Sequence, residues 1–156
     1  MVLREDVRRM AELGIVASVQ PAHLLDDRDL TEKLWPDRTE RCFALRWLAD
    51  AGVELALGSD APVAPLDPWL AVAAAVHRSG DERDPWHPEQ ALTVAEALAA
   101  STDGAGTVAP GHLADLALLD HDPLPSGSSA EQSAALRELT VAATWVAGDL
   151  VHDTLT

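Results

Sequence analysis

Two stretches decide the fold: Gly14-Ile15-Val16-Ala17-Ser18-Val19-Gln20, closed by Pro21, and Val53-Glu54-Leu55-Ala56-Leu57, which runs into Gly58-Ser59-Asp60-Ala61-Pro62. Each is a short run of strand-forming residues and reads as a buried strand. A helical pattern precedes each one and stops at a glycine. Arg4 to Leu13 carries Val7, Met10 and Ala11 on one face and ends at Gly14. Glu40 to Ala51 carries Phe43, Ala44, Trp47, Leu48 and Ala51 and ends at Gly52. Between the two units, residues 24–39 are polar and acidic around Trp35-Pro36 and read as a long loop. Helix, strand, helix, strand is the order of a βαβ unit, which implies a parallel sheet with a right-handed crossover.

Working outward, Pro68 to His77 places Trp69, Val72, Ala73 and Val76 at helical spacing. Thr93-x-x-Glu96 is a capping box that opens a helix through Ala100. Gly80 to Pro88 is a charged loop holding Trp86 and His87. After Gly104 the texture changes. Gly106 to Gly111 reads as a turn, Leu113 to Leu119 as a strand, and Asp122 to Ser129 as a loop. Leu139 to Trp145 alternates, turns at Gly148-Asp149 and returns through Leu150-Val151, a small antiparallel hairpin with one apolar face. The reading is α/β, with a boundary near residue 104 that separates 1–104 from 105–156.

The 156 residues suit one domain, and 47% apolar against 24% charged side chains argues for a packed core. Eleven basic residues face 26 acidic ones, a net charge of −15. Such a field repels phosphate backbones, which argues against nucleic acid and anionic membranes as partners. No run of 18 apolar residues exists and Met1 opens into charge, so neither a transmembrane helix nor a signal peptide is expected. The lone Cys42 excludes an internal disulfide framework and a cysteine-rich zinc site, and a reduced cytoplasm is the expected location. Arginine and alanine richness reads as genome composition before surface chemistry.

In a parallel βα sheet, ligands bind beyond the carboxyl ends of the strands. Gln20-Pro21-Ala22-His23 sits at one such end and Gly58-Ser59-Asp60-Ala61-Pro62 at the other. Asp60 has three possible uses there: a metal ligand, a general base, or a side-chain cap for the following turn. His23 is either a ligand or substrate contact or an ordinary loop histidine. His77, His87, His112, His121 and His152 are scattered, without HxH or HExxH spacing, and read as structural. Cys42 lies among apolar helix residues and reads as a buried small hydrophobe. Ser59 lacks a G-x-S-x-G context, and the acidic stretch from Asp26 to Asp37 lacks a calcium-loop pattern.

Five segments carry a resemblance: GIVASVQPAH from Gly14, GVELALGSDAPVAPLDP from Gly52, TVAEALAAST from Thr93, PGHLADLALLDHDPL from Pro110 and the closing TWVAGDLVH from Thr144. In this order and at these distances they resemble the C-terminal part of the amidohydrolase superfamily. The likeness is to its family 3 group, which includes formamide-deformylase-like and imidase-like enzymes. The resemblance implies a TIM barrel holding one or two divalent metals, zinc foremost, beside a small β-sandwich. Gly14–Gln20 and Val53–Leu57 would be strands seven and eight of an incomplete (β/α)8 barrel, with 105–156 a portion of the sandwich. Asp60 would contact the metal and take a proton from the attacking water. His23, with Gln20, would face the substrate. Metal binding would lower the pKa of bound water from 15.7 to about 7.

The family's H-x-H, its bridging lysine and the histidines after strands five and six have no counterpart here, and Lys33 follows strand seven. A catalytic zinc needs three protein ligands, so weak or no metal binding is expected of this chain alone. Met1 resembles an internal start within a longer enzyme. The leading expectation is an inactive C-terminal fragment of a hydrolase acting on amide- or imide-type small molecules. One alternative is half of a split enzyme completed by an HxH-bearing partner chain. The other is a non-catalytic acidic α/β module that self-associates through open sheet edges.

Overall fold

The computed structural model describes residues 1–102 and 108–155. The boundary near residue 104 and the start of the Gly106–Gly111 turn lie outside the described residues. The chain begins with α1 (Arg4–Glu12), β1 (Ala17–Val19) and α2 (His23–Leu34), then a 3-10 turn at Thr39–Arg41, α3 (Leu45–Asp50) and β2 (Leu55–Leu57). It continues with α4 (Pro68–His77), a 3-10 turn at Pro88–Gln90, α5 (Val94–Ala99), β3 (Leu116–Leu119), α6 (Ser129–Glu138), β4 (Val141–Val146) and β5 (Asp149–Asp153).

β1 and β2 pair in parallel, with Ala17 opposite Leu55 and Val19 opposite Leu57. The two helix–glycine–strand entries are copies of one motif. Gly14 (φ 63°) and Gly52 (φ 79°) take the left-handed conformation that ends each helix without a Cβ penalty. Ile15 N–H reaches back to Met10 C=O and Gly14 N–H to Ala11 C=O; Val53 to Leu48 and Gly52 to Ala49 repeat the pattern. The regular part of each strand is shorter than its sequence run. In β1 only Ala17 is buried, while Ile15 and Val16 lie exposed just before it, so a fully buried strand is not what forms.

Residues 24–39 are not a loop. His23–Leu34 is helical, with Leu24 and Thr31 buried two turns apart and an Arg28–Glu32 ion pair on the outside. The helix hides behind its polarity because it buries so little. The third helix is also corrected: Glu40 to Ala51 breaks at Phe43 (φ 50°), leaving a 3-10 turn and the shorter α3, so Cys42 sits in a turn rather than a helix. α6 is a further helix, absent from the sequence expectations. Its N-terminal signal is a second capping box, Ser128 with Glu131.

The core is built around α4. Every residue from Ala71 to Val76 is buried, so this helix is covered on all sides, as an all-apolar helix requires. Asp67 caps it by accepting from Trp69 N–H at 3.0 Å, and Pro68 occupies its first turn. Leu45, Leu92, Val94, Ala97, Leu136 and Leu139 pack on it, with Val19, Leu55 and Leu57 of the sheet at the margin. Arg46 of α3 makes a two-pronged pair with Glu96 of α5 (2.8 and 2.6 Å) and so ties those helices at the core's rim. The second sheet is three-stranded, in the order β3-β4-β5, antiparallel throughout. Ala147 and Gly148, both at positive φ, form its hairpin turn. β5 is exposed along its length, so the apolar face expected of this element is only partly covered.

Candidate functional site

The register of β1 on β2 positions the site. Gly58 N–H donates to Val19 C=O at 2.9 Å, so the chain leaving β1 and the chain leaving β2 emerge side by side. Four residues beyond Val19 is His23, the first residue of α2, rather than a loop position as the sequence suggested. Three residues beyond Leu57 is Asp60, in the left-handed region at φ 58°, a conformation that Asp tolerates better than most side chains.

These two side chains face each other. His23 Nε2 lies 3.8 Å from Asp60 Oδ2. The imidazole is three-quarters enclosed and the carboxylate is 58% exposed. His23 Nε2 is itself buried and has no hydrogen-bond partner among the described residues, because 3.8 Å exceeds bonding distance. Nor does the Asp60 carboxylate cap the following turn. Ser59 Oγ accepts from Ala61 N–H at 3.2 Å, and the Asp60 carbonyl accepts from Val63 N–H at 2.9 Å, so the carboxylate stays uncommitted. A buried ring nitrogen thus stands beside a half-exposed carboxylate at the ends of the two strands.

Gln20 is not part of this pair. Its Nε2 donates to Ser18 Oγ at 3.3 Å, and the residue lines a separate cavity of about 470 Å³ along β1, together with Ala17, Ser18, Val19, Met10 and Phe43. Ala17 and Val19 turn their backbone groups toward β2, so Val16, Ser18 and Gln20 present theirs to the opposite edge. The outer edge of β2, by contrast, is engaged by Leu57 N–H donating to Ala100 C=O at 2.8 Å.

A divalent metal needs more than the pair supplies. Among the described residues no group of three or more His, Cys, Asp or Glu side chains is placed to hold a metal ion. The orphaned His23 nitrogen and Asp60 are two groups at most, so the residues present do not make up a metal site. The remaining histidines hold structure where they are fixed at all. His77 Nδ1 is 3.1 Å from Ser129 Oγ, at the α4–α6 junction, and burial pushes its pKa down. His87 is clamped between Glu89 (3.1 Å) and Thr39 (3.1 Å). Cys42 is buried, which pushes its thiol up. The sequence carried no signal for the burial of Arg78, which has no exposed surface at all and donates to Trp86 C=O and Phe43 C=O.

Comparison with known proteins identifies the family. The model of a family described as the amidohydrolase family matches residues 1–152. The chain is 35% identical to Protein LONG AFTER FAR-RED 3 of Arabidopsis thaliana, over 92% of this chain and 26% of that protein. It is 31% identical to an N-substituted formamide deformylase of Arthrobacter pascens, over 94% of this chain and 28% of that one. A crystal structure of an uncharacterized metal-dependent hydrolase from Pyrococcus horikoshii OT3 superposes with a TM-score of 0.59 at 31% identity, covering 67% of this chain and 22% of the other. The chain thus spans 26–28% of the length of these two curated relatives. No helix among the described residues is long and apolar enough to cross a membrane. With a family match running over nearly its whole length, this chain belongs to the amidohydrolase family.

Proposed function

We propose that this chain is the C-terminal portion of a metal-dependent amidohydrolase that hydrolyses non-peptide C–N bonds of a small amide- or imide-type substrate in the cytoplasm. β1 and β2 serve as the seventh and eighth strands of an incomplete (β/α)8 barrel. The observation that carries the reading is the convergence of His23 and Asp60, 3.8 Å apart, at the carboxyl ends of two parallel strands. The family match supports the hydrolase class.

In this reading Asp60 takes a proton from the attacking water and delivers it to the leaving nitrogen as the C–N bond breaks. Asp60 would supply one ligand to a divalent ion, zinc, which would lower the pKa of the attacking water; the described residues of this chain do not complete that ligand set. His23 bounds the substrate at the mouth of the same strand pair. Two groups fall short of the three protein ligands a catalytic zinc uses, so the chain alone is inactive.

A second reading, in which a separate HxH-bearing polypeptide completes the barrel, draws on the uncovered edge of β1 and the exposed Ile15 and Val16 beside it. The test is elemental analysis of the chain after gel filtration, followed by assay on an N-substituted formamide and a cyclic imide with added zinc. The expected result is no stoichiometric metal and no turnover. Turnover that appears on adding the polypeptide encoded next to this one, and disappears with Asp60→Ala, would establish the second reading. Turnover by the chain alone would sink the claim of inactivity, and a metal-free defined oligomer would favour a non-catalytic module.

A further inference from the structure

We propose that Arg78 is a positioning residue for His23, acting as a buried clamp on the two chain segments against which the first turn of α2 rests. Arg78 is fully buried. Its Nε donates to Trp86 C=O at 2.7 Å and its Nη1 to Phe43 C=O at 3.0 Å, while Trp86 N–H donates back to Arg78 C=O at 2.9 Å. Among the described residues no carboxylate bonds it and Nη2 has no partner, the nearest compensation being the field of Glu89. Burial pushes its pKa down to about 10. An unpaired buried cation is costly to keep, so a fold that retains one gains something specific from its geometry.

What it gains is a junction of strained segments. Phe43 (φ 50°), Arg78 (φ 61°) and His87 (φ 50°) are all non-glycine residues in the left-handed region. Such backbone persists only where surrounding contacts over-determine it. The guanidinium holds the first segment by Phe43 and the second by Trp86. Two further contacts join the same segments: His87 Nε2 to Thr39 Oγ1 at 3.1 Å, and the Phe43 ring edge-on to Trp86 at 6.4 Å. Trp86 and Cys42 then form one buried cluster with Ala74 and Leu24, and Phe43 packs against it. Leu24 is 1% exposed and adjoins His23. The clamp therefore sets the seat of Leu24, and through it the enclosure of His23 Nε2 opposite Asp60. A lysine carries its donors on a single nitrogen and lacks the planar fork that bonds Trp86 C=O through Nε and Phe43 C=O through Nη1.

Whether His23 works on a substrate rests on the function proposed above, but its enclosure is measured without turnover, so the two fail separately. The experiment is carbethoxylation of the histidines by diethyl pyrocarbonate, mapped by mass spectrometry well below the melting midpoint, with exposed His112 and His121 as internal references. In the unaltered chain His23 reacts slowly. In Arg78→Met it reacts about tenfold faster while the references do not change, a local opening rather than a global one. Arg78→Lys leaves His23 equally reactive. A folded Arg78→Met chain that keeps His23 protected overturns the proposal, as does full restoration by lysine. If Arg78→Met does not fold, Arg78→Lys decides: it keeps the charge but not the fork that bonds Trp86 C=O and Phe43 C=O. His23 released there supports the clamp, and His23 still protected refutes it.

Discussion

α2 and α4 each follow one of the two parallel strands, yet they are made in opposite ways. α4 buries every residue from Ala71 to Val76, is capped by Asp67 and is legible as a helix from its apolar spacing. α2 buries only Leu24 and Thr31, carries four aspartate and glutamate side chains among its twelve residues, and resembles a solvated loop in composition. Apolar periodicity marks a helix that other elements surround. A helix lying on the surface, anchored at one end, leaves almost no periodic trace. The anchored end of α2 is the one bearing His23.

Substitutions that probe this contrast fall in a clear order. Val72→Asp in α4 places a carboxylate with no partner at a fully buried position and is expected to cost more than about 4 kcal/mol, abolishing a cooperative melt. Leu24→Ala in α2 removes the helix's one deep anchor and is expected to cost about 2–4 kcal/mol in urea unfolding. An equal loss from both substitutions would erase the distinction between a core helix and an anchored one.

Glu96 tests the rim of the α4 core. The Arg46 guanidinium holds its carboxyl down to about 2, against an ordinary 4.5. The folded value lies below the unfolded one, so the stability it contributes is full above 4.5 and is lost as the pH falls toward 2. Glu96→Gln is expected to flatten that acid limb and to cost about 1 kcal/mol at neutral pH through the weakened capping box, seen as a lower urea midpoint. Arg28→Ala on the outer face of α2 should be smallest, about 0.5 kcal/mol. It loses an i,i+4 pair with Glu32 and a bond to Asp84 C=O, both near the surface. A larger effect would show that the polar face of α2 does more than stay wet.

Much of the scaffold is legible from local chemistry. Gly14 and Gly52 mark the two helix ends because only an unsubstituted Cα takes positive φ there without cost. Pro68 and Thr93 mark helix starts, and the strand runs mark the parallel pair. The second capping box, Ser128 with Glu131, is equally visible, although nothing in its apolar spacing draws attention to the helix it opens. The break at Phe43 is not legible. Its positive φ comes from contacts with Arg78 and Trp86, residues more than thirty positions away.

The same division runs through the candidate site. The sequence by itself determined that Gln20, His23 and Asp60 follow hydrophobic strands, because strand ends and their punctuation are local signals. Only the tertiary structure decided which of them meet. The parallel register, sealed by Gly58 N–H on Val19 C=O, brings His23 to Asp60 and leaves Gln20 with Ser18 along the open edge of β1. Only the tertiary structure, too, buried the Arg78 guanidinium between the carbonyls of Phe43 and Trp86. Sequence specifies what a residue can donate or accept, and long-range packing decides what stands opposite it.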